Sequence, residues 1–517
     1  MTASGPRGYD DLALFYGDLH NHCNLSYGHG SLEDALHNAR LQLDFASVTV
    51  HAVWPDLPQD DPYLDYLVDY HREGFVKAQT GWPGYVQAIE AANEDGTFVT
   101  FPSFEWHSMR YGDHCVYYKH GQRDERPFPI IEAPDLPALR QSVRDLQTDA
   151  FVIPHHIGYR AGSRGIDWGA FSEELSPVAE IFSFHGLAES SEGPYPYLHS
   201  MGPRHSGSTA QHGWAQGHVV GLIGSTDHHN SFPGSYGYGR LAVWASSLSR
   251  DDIWDAIANR RTYALTGDRI DVAFAVNEQP LGSVLGPAAE RWIDVSVRGG
   301  SSIDYIEVLH NNQIIHREDC YPQRIERGLF KVFVEVGWGE RSQETAWDVT
   351  LRVKSGRLRQ AEPRFRGRGP TDAPAEDAVF AYTNWVQDAA YSIHFETRTR
   401  QNPSLHTAAT EGMALEIEGD AQTVLIADVN GQRMEIPLTE LIKGSQTANL
   451  GGFVSPAICF HRAIPETEYN RRFAFAHRGD GAYRNDRAQR LVLRPPMRQR
   501  NDQWAWTSPI WVEPPSR

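Results

Sequence analysis

The chain predicts an α/β protein in two parts, a (β/α) barrel followed by an antiparallel β-sandwich. Three observations predict it. Apolar strand patterns alternate with amphipathic helix patterns through the first 270 residues, which argues for a parallel sheet, closed as a barrel or open. Short strands of period-two alternation replace them afterwards. The length of 517 residues exceeds one ordinary domain. The expected division is residues 1–270 for the barrel and 271–517 for the sandwich.

In chain order, residues 14–22 read as a strand ending in His20-Asn21-His22. Ser31 then opens a helix, with Asp34 placed for a capping box and Leu32, Ala35, Leu36 and Ala39 on one face. A second strand is expected over 45–51. Helix-then-strand pairs follow at 84–93 with 97–106, and at 138–147 with 150–156. Strands at 178–186 and 218–229 and a helix at 250–260 complete the series, and this number of units favours a closed barrel. Beyond 270, Ile293, Val295 and Val297 alternate with Asp294, Ser296 and Arg298, and Val349, Leu351 and Val353 repeat the pattern. Asn430-Gly431 between two apolar runs signals a hairpin. The stretch 355–377, rich in Arg, Pro and Gly, reads as a long surface loop.

Composition narrows the function classes. The net charge of −19, from 47 basic and 66 acidic residues, argues against a broad nucleic-acid footprint. It leaves room for a small, anionic substrate at a locally cationic site. No apolar run is long enough to span a membrane, and the N-terminus lacks a secretory pattern, so a cytoplasmic protein is expected. Cys23, Cys115, Cys320 and Cys459 are scattered and do not read as a disulfide framework. Composition leaves a homo-oligomer open.

Chemistry concentrates in the first half, where 18 of the 24 histidines lie before residue 271. Residues i and i+2 of a strand point to one side, so His20 and His22 aim two imidazoles at one point. Asp227 and His229 repeat that spacing at the end of a later strand, with His228 turned away. Asp suits a bridging role because its two oxygens can serve two cations. Other strand ends offer Glu105, His114, His51, His185 and the pair His155-His156, of which only one can face inward on an extended strand. His29 lies in the loop after the first strand, and His37 within a helix reads as structural. Singly, each of these is a loop or core residue; their common location makes the collective reading a metal site.

The strings "DLHNH", "SFEWH", "VIPHH" and "STDHH", in this order, resemble the motifs of the PHP (polymerase and histidinol phosphatase) superfamily over about residues 12–270. The strings "RRTYALTGDRI" and "WAWTSPIWV" resemble those of a PHP branch with a fused β domain. The resemblance implies a distorted seven-stranded TIM-like barrel with two or three divalent metals (Zn, Mn or Fe) at the strands' C-terminal ends. It implies that His20 and His22 hold a first metal with Glu105 and Asp227, and that Glu105, His114 and His155 hold a second. His29, His51 and His229 would hold a third. Many members read Thr-Asp-His where this chain has Thr49-Val50-His51, so a carboxylate is missing near that third site.

Such a centre predicts a hydrolase using a cation-activated water, with no Ser or Cys nucleophile. Three metals favour phosphate esters, because the added charge stabilises a phosphoryl transition state. Amide or carbon–carbon hydrolysis uses the same cations and stays open, as does a ligand-binding protein on a degenerate barrel. Arg160, or Arg204, is placed to clamp an anion, and His185 to donate a proton to the leaving group. Each has a plainer reading, as a surface arginine or a structural histidine. Cys23 and Cys115 follow proposed ligands, and strand alternation is expected to turn them away. Trp504 and Trp506 read as core or sheet-face residues.

Overall fold

A computed structural model describes residues 6–58, 64–340, 343–375, 377–403, 407–478 and 491–514. The fold is mixed α/β and rich in strand. No helix among the described residues is long and apolar enough to cross a membrane.

The first half builds mixed sheets. Ala13–Asp18 runs parallel to Phe45–Ala46, which is parallel to Val99–Thr100. On its other edge Ala13–Asp18 pairs antiparallel with Arg240–Ala245, itself antiparallel to Thr262–Leu265. A second sheet orders Val50–Val53, Ser103–Trp106, His114–Tyr118 and Ala150–Pro154, and only its first pair is parallel. A third carries Val178–Ser183 parallel to Gly221–Gly224. Among the described residues these sheets do not close into one hydrogen-bonded barrel. One cause is connection length. Residues 107–113 are too few for a crossover helix, so His114–Tyr118 must return antiparallel to Ser103–Trp106.

Helices cover the sheets from outside. Leu32–Arg40 has the expected capping box, with Ser31 accepting from the Asp34 amide and Asp34 from that of Ser31. Asp65–Ala92 is far longer than the 84–93 expected, because Gly74, Gly81, Pro83 and Gly84 depress local propensity. Packing overrides them: Trp82, Tyr85, Val86 and Ile89 share one core with Val50, Phe104 and Val116. Gly74 is required there, since a Cβ would stand 2.6 Å from the Tyr27 ring.

The second half contains an antiparallel sandwich. Gly328–Trp338 and Glu411–Gly419 belong to a six-stranded sheet, and Glu344–Lys354 lies between Ser392–Arg400 and Val424–Val429 in a five-stranded one. Val332, Val334, Trp347, Val349, Leu351, Phe395 and Leu415 fill the space between them. The Asn430-Gly431 hairpin forms, with φ of 51° and 78° suited to a type I′ turn. The largest sheet contains strands from both halves, because Trp504–Thr507 pairs with Thr262–Leu265. Trp506 is buried there, stacked 5.6 Å from Trp504. The 355–377 stretch is a surface loop only in part. Arg357–Pro363 is a strand, and Arg364 and Phe365 beyond it are buried, with Arg364 paired to Asp268 and Glu362.

Candidate metal centre

Two of the chain segments that build the site meet at the strand ends. The Ala13–Asp18 strand stops at Asp18, whose carboxylate accepts from the amides of His20, Thr226 and Gly234. This buried carboxylate locks the first motif to the last. The backbones then pair: His22 N–H donates to His228 O at 2.7 Å, and Asp227 N–H to His20 O at 2.7 Å. Asp227 takes a φ of 53°, a region where Asp is tolerated better than most residues. That turn, and not strand alternation, sends its carboxylate towards His20 and His22. The Gly221–Gly224 strand has already ended.

The donors converge. His22 Nε2 lies 2.9 Å from Asp227 Oδ1 and 3.1 Å from His20 Nε2. Glu105 Oε2 stands 3.7 Å from both of those imidazole nitrogens and 2.7 Å from His51 Nδ1. Its Oε1 lies 2.8 Å from His155 Nε2 and 3.1 Å from His107 Nδ1. His51 and His229 face each other through Nε2 at 3.2 Å, and His185 Nε2 sits 3.0 Å from Asp227 Oδ2. Three-residue groups whose donor atoms lie within 4.8 Å of one another include His20–His22–Asp227, His22–His51–His229 and His51–Glu105–His107. Glu105 and Asp227 each spread two oxygens over different imidazoles.

Several of these atoms lack hydrogen bonds. Glu105 Oε2 and both ring nitrogens of His155 are buried with none. His155 Nε2 is close enough to Glu105 for an ion pair, but the geometry does not aim a proton between them. Converging lone pairs with no proton between them suit a cation.

The far side of three of the rings is held. His20 Nδ1 meets Glu180 Oε2 at 3.0 Å, His22 Nδ1 meets Thr49 O at 2.8 Å, and His229 Nδ1 meets Asp227 O at 2.9 Å. Such partners fix the tautomer that leaves Nε2 free to ligate. Burial, with the cationic field of neighbouring rings, holds His51 and His155 well below the usual imidazole range and His229 at about 3. Burial raises the carboxyls of Glu105 and Asp227, but the surrounding imidazoles outweigh it and hold both well below the usual range. His20 goes the other way. Burial lowers it, yet Cys115, Asp227 and Glu180 together raise it well above the usual value. These shifts hold His51, His155, His229, Glu105 and Asp227 deprotonated, as metal ligation requires.

A family model described as "Protein of unknown function (DUF3604)" matches residues 235–279. A Chlamydia trachomatis protein described as uncharacterized is 30% identical over 248 residues, 44% of this chain and 40% of that protein. One from Chlamydia pneumoniae is 22% identical over 254 residues. The chain thus spans about 40% of the length of the curated relatives it matches. Among solved structures, a two-domain Bacteroides vulgatus protein described as containing a predicted PHP-like metal-dependent phosphoesterase aligns at a TM-score of 0.30. The identity is 12%, over 84% of this chain and 99% of that one.

Of the residues singled out in the sequence, the structure gathers His20, His22, His51, Glu105, His155, His185, Asp227 and His229. His114 stands on the other face of its strand, buried beside Trp106. The register pairs Glu105 with Cys115, so Cys115 faces the cluster with His20 and His155, contrary to expectation. Burial pushes the Cys115 thiol up to about 12. His29 is exposed and reaches the site through its backbone, donating to His229 O. Arg160 is exposed, while Arg204 binds the carbonyls of Leu187, Ser191 and Gly193 and so braces a loop. Val50 packs in the apolar core opposite Phe104, on the face away from His51.

Sequence reasoning missed His107, Asp113 and Arg164, and it allowed only one of His155 and His156 to face inward. His107 Nδ1 is 3.0 Å from Asp113 Oδ2, which also binds Arg164 and lies 3.3 Å from His156 Nε2. His156 joins because its φ of 31° breaks the alternation that should have turned it away. The string "GDHCV" was the available signal for Asp113, one residue before His114.

Proposed function

We propose that this chain is a metal-dependent hydrolase that acts on phosphate esters and holds two or three divalent cations (Zn, Mn or Fe) at the strand-end cluster. The observation that carries the reading is the pair Glu105 and Asp227, each offering both oxygens to different histidines, with unbonded lone pairs at Glu105 and His155.

His20, His22 and Asp227 would hold one cation, Glu105 and His155 a second, and His51 and His229 a third. Cations in such a pair polarise the bond attacked and lower the pKa of water towards neutrality. Glu105 and Asp227 would each help to hold the cations, and Glu180 and Thr49 keep His20 and His22 aimed. His185, the proposed proton donor to a leaving group, stands at the cluster with Nε2 3.0 Å from Asp227 Oδ2 and Nδ1 2.6 Å from the Tyr159 hydroxyl. Arg164, anchored on Asp113 and against His107, is better placed than Arg160 to meet an anion.

Metal analysis of the purified chain, followed by a screen of phosphomonoesters, phosphodiesters and amides with the Mn and Zn forms, tests the reading. Turnover of a phosphoester that disappears on chelation and in His20→Ala is expected. Metal-bound protein that cleaves only amides would overturn the phosphoester assignment.

A further inference from the structure

The Arg-rich stretch after residue 363 is not needed to hold cations, yet it lies against the site. His228 Nε2 bonds Arg368 O at 2.9 Å, the His229 amide bonds Pro370 O at 2.9 Å, and Asn230 Nδ2 bonds Gly369 O at 2.6 Å. This stretch and the Ser392–Arg400 strand wall a cavity of about 380 Å³. Four arginines line it, Arg366, Arg368, Arg398 and Arg400, against two carboxylates, Glu344 and Asp372. Asp372 is already engaged by the Gly369 amide. Glu344 lies 3.1 Å from Arg398, 3.4 Å from Arg400 and 4.0 Å from Arg368. In a chain of net charge −19, this is a local excess of positive charge.

Arg368 is the decisive residue. Its side chain is 8% exposed, and its Nε and Nη1 are buried without a hydrogen-bond partner. Leaving such donors unsatisfied is costly, and a planar guanidinium matches an oxyanion in two-point geometry. Phe184 also lines the cavity, and its ring lies 4.1 Å from that of His185 and 5.9 Å from that of His229. Phe184 therefore adjoins both the arginine cavity and the candidate metal centre.

Resting on the hydrolase reading above, we infer that the arginine cavity is a second substrate subsite, which binds an oxyanionic group remote from the bond cleaved at the cations. The substrate class is then a small molecule with two anionic ends, a phosphate ester that also carries a carboxylate or a second phosphate. The β-sandwich acquires a role on this reading, because it supplies Arg368, Arg398 and Arg400 and hence the selectivity.

The experiment has two arms. In the first, inorganic phosphate and malonate are titrated by calorimetry into the full chain stripped of metal, as wild type and as Arg368→Met. Saturable binding is expected in wild type, weakened on the order of tenfold or more in the variant; the tighter of the two ions names the anion class. No binding to wild type, or equal binding to both proteins, overturns the inference. In the second arm the metal-loaded enzyme is assayed on phenyl phosphate and on carboxyalkyl phosphates of graded chain length. Wild type should favour one chain length in kcat/KM, and Arg368→Met should collapse that preference; a preference that survives overturns the inference. If Arg368→Met does not fold, Arg400→Gln at the exposed rim should still weaken phosphate binding several-fold, and unchanged binding there counts against the site. Metal content measured on the same samples keeps the outcomes separate. A chain that takes up no metal sinks the hydrolase reading, while the titration still reports on the cavity.

Discussion

The β-sandwich and the strand-end cluster bury their residues for opposite reasons. In Glu344–Lys354 the burial alternates, with Trp347, Val349, Leu351 and Val353 inside and their neighbours outside. Each buried group there is apolar, and its transfer from water stabilises the fold directly. In Ser103–Trp106 every residue is buried, and one of the four is a carboxylate surrounded by imidazoles. Burying such groups without full hydrogen bonding opposes folding. The difference teaches that the sandwich is built for stability, while the cluster brings together groups that oppose folding unless, as proposed, cations bind there. The rest of the first half, including the Asp65–Ala92 helix and its core, provides the offset.

That contrast can be broken or sharpened by experiment. Glu105→Gln should cost at least one bound cation per chain and on the order of a thousandfold or more in turnover, with the circular dichroism of a folded protein retained. Leu351→Ala, at a position 1% exposed, should destabilise by about 2–5 kcal/mol in denaturant titration and leave metal stoichiometry unchanged in the folded protein. If the two variants exchanged phenotypes, the division of labour between the regions would be wrong. Glu180→Gln loosens the orientation of His20 without removing a ligand. It should weaken metal affinity by roughly 10–100-fold in chelator competition.

The smallest effect is on pH dependence. Burial holds His71 and His310 at about 4, against 6.5 in an unfolded chain. Between those values the unfolded chain binds more protons, so the stability present above pH 6.5 is lost as the pH falls towards 4. The thermal midpoint of metal-free protein should therefore drop from pH 7 to pH 5, and His71→Gln should shallow that slope. A midpoint that rises on acidification would contradict the burial of these rings.

How much was legible in the sequence follows the same division. Alternation and the Asn430-Gly431 signal are local, so the sandwich strands and that hairpin could be read directly. The cluster was legible as residue types at strand ends, which found Glu105, Asp227 and six histidines. Their geometry was not, because it depends on departures from regular structure. Asp227 and His156 take positive φ, so alternation mispredicts His156. The antiparallel return at His114 reverses which of His114 and Cys115 faces the site. The contact of the 364–372 stretch with His228 and His229 joins residues some 140 positions apart, beyond any local pattern.

The most direct test of the central claim is the metal stoichiometry of the full chain after chelation, reloading with Mn or Zn and desalting, read by elemental analysis beside Glu105→Gln. The account predicts at least two equivalents bound per wild-type chain and fewer in the variant. A folded wild-type chain that retains none after reloading would contradict it.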